Sequence, residues 1–330
     1  TSARLVTGSA AAPAWVKAGE IAKYPTGPLI GIPGIPDDVT VSGDPVSAWA
    51  VCDTAAKTGT GGGPTVTAIA GRLAPAGRAE PMRADQAVLA AHRGATYLIW
   101  NGKRSRIDTF DRSVTLNLGL DPATTRPVEI STALFDAMPA AEPLVIPPVP
   151  EAGSPSRWLA GSVVGRVLQT RDAAGSVSGL YVLLPNGIQK ITPFVAELLR
   201  TADSHGSAVP QLIAPDALVR IPAVDVLRVD FYPTGKLSFV DTAASPVTCV
   251  SWTKGGGDPQ AAVVLFTGRG LPTPADLDGH IVDLVRDSRG PDSVEAQQTL
   301  VLPGAANFVA STGGGVIADS RESLFWVSPQ

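Results

Sequence analysis

One sequence unit recurs along this 330-residue chain, and it recurs out of phase, so that the chain reads as starting inside one copy and stopping inside another. The rear half of the unit is helical and opens at Ser2-Ala-Arg-Leu-Val, Ser113-Val-Thr-Leu-Asn-Leu and Phe194-Val-Ala-Glu-Leu-Leu. A small or Pro-rich link follows each, then a shorter helical pattern: Ala14-Trp-Val-Lys-Ala-Gly-Glu-Ile, Ile130-Ser-Thr-Ala-Leu-Phe-Asp-Ala-Met and Ala214-Pro-Asp-Ala-Leu-Val-Arg-Ile. Each rear half ends in an apolar segment beside proline, at Pro28-Leu-Ile-Gly-Ile-Pro, Pro143-Leu-Val-Ile-Pro and, more loosely, Val226-Leu-Arg-Val-Asp-Phe-Tyr-Pro. Asp111, Ser131, Pro193 and Pro215 stand where helix starts need a cap or a first-turn proline.

The front half is a strand, a turn and a returning strand. It appears at Tyr97-Leu-Ile-Trp-Asn-Gly-Lys-Arg-Ser-Arg-Ile, at Tyr181-Val-Leu-Leu-Pro-Asn-Gly-Ile-Gln-Lys-Ile and, clipped, at Ser323-Leu-Phe-Trp-Val-Ser-Pro-Gln. Asn-Gly between apolar runs is a strong hairpin signal, because both residues accept positive φ. Asn101-Gly102 and Asn186-Gly187 are therefore expected at equivalent turns. Segments that do not repeat separate the copies in places, which argues against a continuous solenoid.

The organisation that follows is the rear of a first repeat at 1–45, a first part of a central domain at 46–80, a second repeat at 81–152 and a third at 153–233. A second central part follows at 234–303 and the truncated front of a fourth repeat at 304–330. The strand-like runs around Trp49-Ala-Val-Cys, Thr65-Val-Thr-Ala-Ile-Ala, Lys236-Leu-Ser-Phe-Val, Val247-Thr-Cys-Val-Ser-Trp and Ala261-Ala-Val-Val-Leu-Phe fall in the non-repeat parts. The expected fold is α+β with more strand than helix: a central β domain built from two distant segments, four small α/β repeats around it, and a pseudo-twofold axis.

Two cysteines lie in β-like, Trp-containing segments, Cys52 and Cys249. Two buried free thiols and a disulfide are both compatible with such settings; the matched contexts and an oxidising compartment favour the disulfide. With 26 Lys and Arg against 30 Asp and Glu, the chain has a net charge of −4 and no basic footprint for nucleic acid. No apolar stretch approaches the roughly 20 residues that span a bilayer.

Candidate chemistry is sparse. Gly59-Thr-Gly-Gly-Gly-Pro lacks the lysine of a phosphate loop, and Thr253-Lys-Gly-Gly-Gly-Asp places its lysine before the glycines. His92, His205 and His280 stand in unrelated settings, and Asp276-Leu-Asp-Gly-His matches no metal-ligand spacing. In Gly175-Ser-Val-Ser-Gly, Val177 occupies the position a nucleophile would need. The sequence thus assigns no catalytic residue, no metal and no cofactor. Tyr97, Trp100, Tyr181, Phe325 and Trp326 form either a binding face or the inner face of small sheets, and core packing is the more common role.

Taken in order and spacing, Thr1-Ser-Ala-Arg-Leu-Val, Ile30-Gly-Ile-Pro-Gly-Ile-Pro, Trp49-Ala-Val-Cys-Asp-Thr, Leu183-Leu-Pro-Asn-Gly-Ile, Thr248-Cys-Val-Ser-Trp and Trp326-Val-Ser-Pro-Gln span the whole chain. This pattern resembles EccB, the B component of actinobacterial type VII (ESX) secretion systems. The resemblance implies a single-pass inner-membrane protein, anchored by an N-terminal helix that precedes these residues, with this chain forming most of its periplasmic domain. It implies a central β domain with four repeats shaped like phage-lysin cell-wall-binding modules, and a disulfide between Cys52 and Cys249. The implied partners are other components of the secretion membrane complex, other copies of the protein and the subtilisin-like mycosin protease, with no nucleic acid. The function expected is a periplasmic scaffold; the alternatives are a peptidoglycan-binding module and an ATP hydrolase, as family members have been described.

Overall fold

The computed structural model describes residues 16–25, 46–56, 62–121, 125–207, 209–255, 257–283, 297–302, 308–310 and 324–326. In chain order the elements are α1 (Ala18–Ile21), β1 (Val46–Thr54), β2 (Thr65–Ala70), β3 (Ala79–Pro81), β4 (Gln86–His92), β5 (Ala95–Trp100), β6 (Lys103–Ile107), α2 (Arg112–Leu118), β7 (Val128–Glu129) and α3 (Thr132–Ala137). Then come β8 (Val167–Arg171), β9 (Val177–Leu184), β10 (Gly187–Ile191), α4 (Pro193–Ala202), β11 (Gln211–Leu212), α5 (Pro215–Val219), β12 (Ser238–Phe239), β13 (Val247–Gly255) and β14 (Ala262–Gly268). A 3₁₀ turn (Ala275–His280), β15 (Val282–Asp283), β16 (Gln298–Val301), β17 (Phe308–Ala310) and β18 (Leu324–Trp326) complete the order. The fold is α+β and dominated by strands. Among the described residues no helix is long and apolar enough to cross a membrane.

Two distant stretches build one seven-stranded sheet in the order β15-β16-β2-β1-β13-β14-β3. Its axis is the antiparallel β1–β13 pair, whose register sets Cys52 opposite Cys249. Alternation along these strands sends side chains to two faces. Ala50, Cys52, Val247 and Cys249 point into one core with Ile69, Phe266, Leu271 and Leu300. Val51 and Val250 point into the other, with Val88 of β4, Ile99 of β5, Leu134 of α3 and Met138 just after it.

The segments 81–152 and 153–233 have the same strand order. The first runs β7-β4-β5-β6 and the second β11-β8-β9-β10, with β7 and β11 each parallel to the first strand of the hairpin pair. The stretch after the second helix returns parallel to the last strand in both, at the Arg104–Ala140 and Ile188–Ala223 bridges. The register fixes which residues correspond: Ala90, Tyr97 and Arg106 lie across from one another in the first, as do Leu168, Tyr181 and Lys190 in the second.

That correspondence corrects the expected turns. Asn101 and Gly102 are the two turn residues between β5 and β6, with φ of 45° and 72°. In the second hairpin Leu184 pairs with Gly187, so the two turn residues are Pro185 and Asn186 and Gly187 opens β10. Pro185, its φ fixed at about −65°, suits the first central position of a turn, and Asn186 is not among the positive-φ residues, so the turn forms on Pro185-Asn186, one residue ahead of the Asn-Gly pair. A second correction concerns the Lys236-Leu-Ser-Phe-Val run, expected in the central domain. Ser238 and Phe239 pair instead with Gln86 and Ala87 of β4, as an extra strand of the 81–152 sheet.

Helix boundaries follow local chemistry. The Asp111 carboxylate accepts from the N–H groups of Ser113 and Val114, the Ser131 hydroxyl from Leu134 and the Thr192 hydroxyl from Val195, while Pro193 and Pro215 occupy first turns. Helices α2 and α4 then meet inside one continuous core, in which Leu98, Trp100, Val114 and Leu118 from the first segment pack with Val182, Leu184, Val195 and Leu198 from the second. Two segments that share a core cannot unfold independently at no cost. The parts assigned to a first and a fourth repeat fall mostly outside the described residues.

Candidate functional site

Cys52 and Cys249 are joined by a disulfide, with a Cα–Cα distance of 4.0 Å across β1 and β13, and both are fully buried. The close spacing is that of an antiparallel pair without direct backbone bonds, where side chains approach most nearly. Among the described residues there is no free cysteine.

Beside the disulfide, Asp53 fastens the central sheet to the 81–152 segment. Its carboxylate accepts from the Ser131 N–H at 2.6 Å and from the Ser131 hydroxyl at 2.7 Å. The same hydroxyl accepts from Leu134 N–H at 3.0 Å and so caps α3. Asp53 is 3% exposed. Burial pushes its carboxyl up from 3.8 to about 6, against the lowering effect of the two Ser131 bonds.

On the neighbouring turn, Gly102 approaches the central sheet so closely that a Cβ there would sit 3.0 Å from the Val263 carbonyl oxygen. At Gly187 a Cβ would sit 2.2 Å from the Pro222 carbonyl oxygen. Both hairpin glycines are thus needed where backbone meets backbone.

A strap, residues 224–233, ties the segments 81–152 and 153–233 together. The Gln189 amide is fully used on it: Nε2 donates to Asp225 Oδ1 at 3.0 Å and to Leu227 O at 2.7 Å, while Oε1 accepts from Val226 N–H at 2.9 Å and Leu227 N–H at 2.7 Å. Further along, Lys103 Nζ donates to Phe231 O at 3.0 Å, Tyr232 Oη to Val145 O at 2.5 Å and Thr192 Oγ1 to Pro233 O at 3.1 Å, and Arg228 pairs with Glu142. Burial pushes the Tyr232 phenol up to about 12 and the Lys103 ammonium down. Both groups donate a hydrogen bond to a main-chain carbonyl, Lys103 to Phe231 O and Tyr232 to Val145 O.

The sequence-level candidates for chemistry are placed as follows. Lys254 and Gly255 end β13 in a hairpin to β14, where Gly255 N–H donates to Asp258 Oδ2 at 2.7 Å. A phosphate loop needs a strand, a loop and a helix whose amides converge. His92 is buried, its ring stacked on Phe135 at 4.1 Å, and the Arg104 guanidinium lies 3.6 Å from the centre of the same Phe135 ring. His205 and His280 lie apart from it, and among the described residues no group of three or more His, Cys, Asp or Glu could hold a metal ion. Trp100 is 2% exposed in the shared core, and Tyr181 packs beside Leu168 and Leu183. The Phe325 and Trp326 side chains lie outside the described residues.

Sequence reasoning missed Asp53–Ser131, Gln189 and the Arg104–Phe135–His92 stack. Each pairs residues from separate elements, and no spacing rule links them. What the arrangement does chemically is bind segments of one chain into a braced body.

Known proteins are similar to this chain in sequence and in fold. The family model described as type VII secretion system ESX-1, transport TM domain B, matches residues 1–330. The chain is 59% identical over 328 residues to the ESX-2 secretion system ATPase EccB2 of Mycobacterium tuberculosis, covering 99% of this chain and 66% of that protein. It is 39% identical over 335 residues to the ESX-3 secretion system ATPase EccB3 of Mycolicibacterium smegmatis, covering 99% and 63%. Among solved structures it is similar to a chain of the EccB3 dimer from the ESX-3 core complex, with a TM-score of 0.75, 33% identity and coverage of 99% of this chain and 81% of the other. It is also similar to a chain of the periplasmic assembly from the ESX-5 inner membrane complex, with a TM-score of 0.76, 35% identity and coverage of 99% and 75%. The chain spans just under two thirds of the length of these curated relatives.

Proposed function

The chain belongs to the EccB family of type VII (ESX) secretion systems, and from that premise we propose that it is a scaffold: the rigid periplasmic part of a secretion membrane complex, positioning the membrane core and other copies of itself. The observation that carries this reading is the bracing. A disulfide-closed sheet, two hairpin-and-helix segments with a common core and a hydrogen-bonded strap form one braced body. The subtilisin-like mycosin protease is proposed as a further partner. So are a single-pass anchor N-terminal to this chain and the arrangement of four repeats with pseudo-twofold symmetry around the central sheet. The matching strand orders of 81–152 and 153–233 support the repeat scheme.

The relatives' names carry the word ATPase. In this chain Lys254 and Gly255 are the last residues of β13, which pairs with β14, and not the turn between a strand and a helix on which a phosphate loop depends. The test is purification of the full-length protein through its own tag from membranes in mild detergent. Co-purification of other secretion components in fixed ratio is the expected result. Recovery of the protein alone, together with retention on isolated peptidoglycan or saturable ATP binding, replaces the scaffold by the corresponding alternative.

A further inference from the structure

The two repeating segments differ at one place on their outer sheet edge. In 81–152 the returning stretch pairs directly with β6: Arg104 N–H donates to Pro139 O at 3.0 Å, Ala141 N–H to Arg104 O at 2.8 Å and Leu144 N–H to Arg106 O at 3.0 Å. In 153–233 the pairing starts in the same way, with Ile188 N–H donating to Pro222 O and Val224 N–H to Ile188 O, both at 2.8 Å. It then stops. By register and by distance from the Ala140 and Ala223 bridges, Lys190 corresponds to Arg106 and Leu227 to Leu144. Leu227 N–H, however, goes to the Gln189 side chain at 2.7 Å and not to Lys190 O.

The sequence explains the divergence. Ser105 stands at the position of Gln189 and is too short to reach a strap, and Pro143 stands at the position of Val226 and has no N–H to offer. Gln189 therefore carries the strap away from β10 and leaves a trough of about 690 Å³ between them. That volume is within the range of sites that hold ligands. Because Ile188 turns its N–H and C=O to the outer edge, alternation turns those of Lys190 to the same edge. Neither has a hydrogen-bond partner among the described residues.

The geometry points to this trough as a slot for one extended segment of another polypeptide of the secretion complex, which adds to β10 by pairing with the Lys190 backbone. A peptide is the ligand that offers an N–H and a C=O at ladder spacing. The strap walls the slot on its far side, so a linear segment enters where a sheet edge does not. Twofold pairing of two copies through β10 also sets Lys190 against Lys190, which like charges oppose. Val224, Val226 and Val229 supply apolar surface between the charged rims formed by Lys190 and Asp225.

This proposal rests on the scaffold reading, and its test separates the two. Amide exchange at Lys190 is compared between the free full-length protein and the protein in the purified membrane complex, with a photo-cross-linking phenylalanine at Val226 mapping what enters. The expected result is at least tenfold slower exchange at Lys190 in the complex, with adducts in an extended segment of another component. Lys190→Pro removes the N–H that β9 does not use and is expected to cut the adduct yield at least tenfold at an unchanged melting temperature. A normal complex in which Lys190 exchanges as in the free chain, or adducts confined to a second copy, overturns the slot alone. A protein that co-purifies with no other component overturns the slot and the scaffold together.

Discussion

Asp53→Asn tests the joint between the central sheet and the 81–152 segment through its pH dependence. The wild-type carboxylate is buried with two Ser131 bonds and, among the described residues, no cation paired with it, and its pKa of about 6 lies above the ordinary 3.8. A raised carboxyl pKa means that the folded state holds a proton the unfolded state has released. The associated stability is complete below about pH 4 and is lost as pH rises through about 6. Full ionisation costs about 3 kcal/mol, from the gap of about two pKa values at about 1.4 kcal/mol each. Between pH 5 and pH 7 the loss amounts to about tenfold in the unfolding constant, or about 1.3 kcal/mol. Asn keeps the shape without titrating, so the stability difference between variant and wild type, from urea unfolding followed by tryptophan fluorescence at pH 5, 6 and 7 with the disulfide intact, shifts by that amount in favour of the variant as pH rises. A difference that is constant across the range, or that moves the other way, refutes the assignment of an uncompensated buried charge.

Other consequences are as direct. Gly187→Ala drives a methyl group to 2.2 Å from Pro222 O and is expected to cost more than about 2 kcal/mol by thermal unfolding, against about 1 kcal/mol or more for Gly102→Val at a φ of 72°. Gln189→Leu strands two strap N–H groups and one carbonyl, and should cost about 2–4 kcal/mol while speeding amide exchange at Val226 and Leu227. Replacing both cysteines by alanine releases a loop of 197 residues' separation and lowers stability by about 5 kcal/mol in the chain-entropy picture, measurable as a fall in the denaturation midpoint. Lys254→Ala is expected to leave any ATP turnover of the purified full-length protein unchanged; loss of a saturable rate on this substitution marks the hairpin as a nucleotide site.

The sequence already showed those features whose causes are local. The strand-like, Trp-containing runs around Cys52 and Cys249 announced two strands, and the cap at Ser131 and the proline at position 193 announced helix starts. The hairpins were visible for the same reason. Their exact alignment was not, because Asn-Gly draws the eye while Pro185, with φ fixed at about −65°, takes the first central position of the turn and moves it one residue ahead of Asn-Gly. Ser238 and Phe239 misled in a similar way: strand character is local, but the choice of β4 as partner is made by a chain that has crossed back from the other segment. Asp53 and Gln189 were invisible as joints because their partners lie 78 and about 37 residues away, and a buried polar side chain is recognised only by what it touches.

The central claim is that this domain is required to build the membrane complex. It is tested most directly by the native mass of that complex, purified through a tag on a different component from cells in which residues 46–302 of this protein have been removed and its remaining parts retained. The predicted result is loss of the full-size assembly, with the tagged component recovered in smaller species, and its restoration by the intact protein. A full-size complex that forms and secretes without residues 46–302 contradicts the scaffold role.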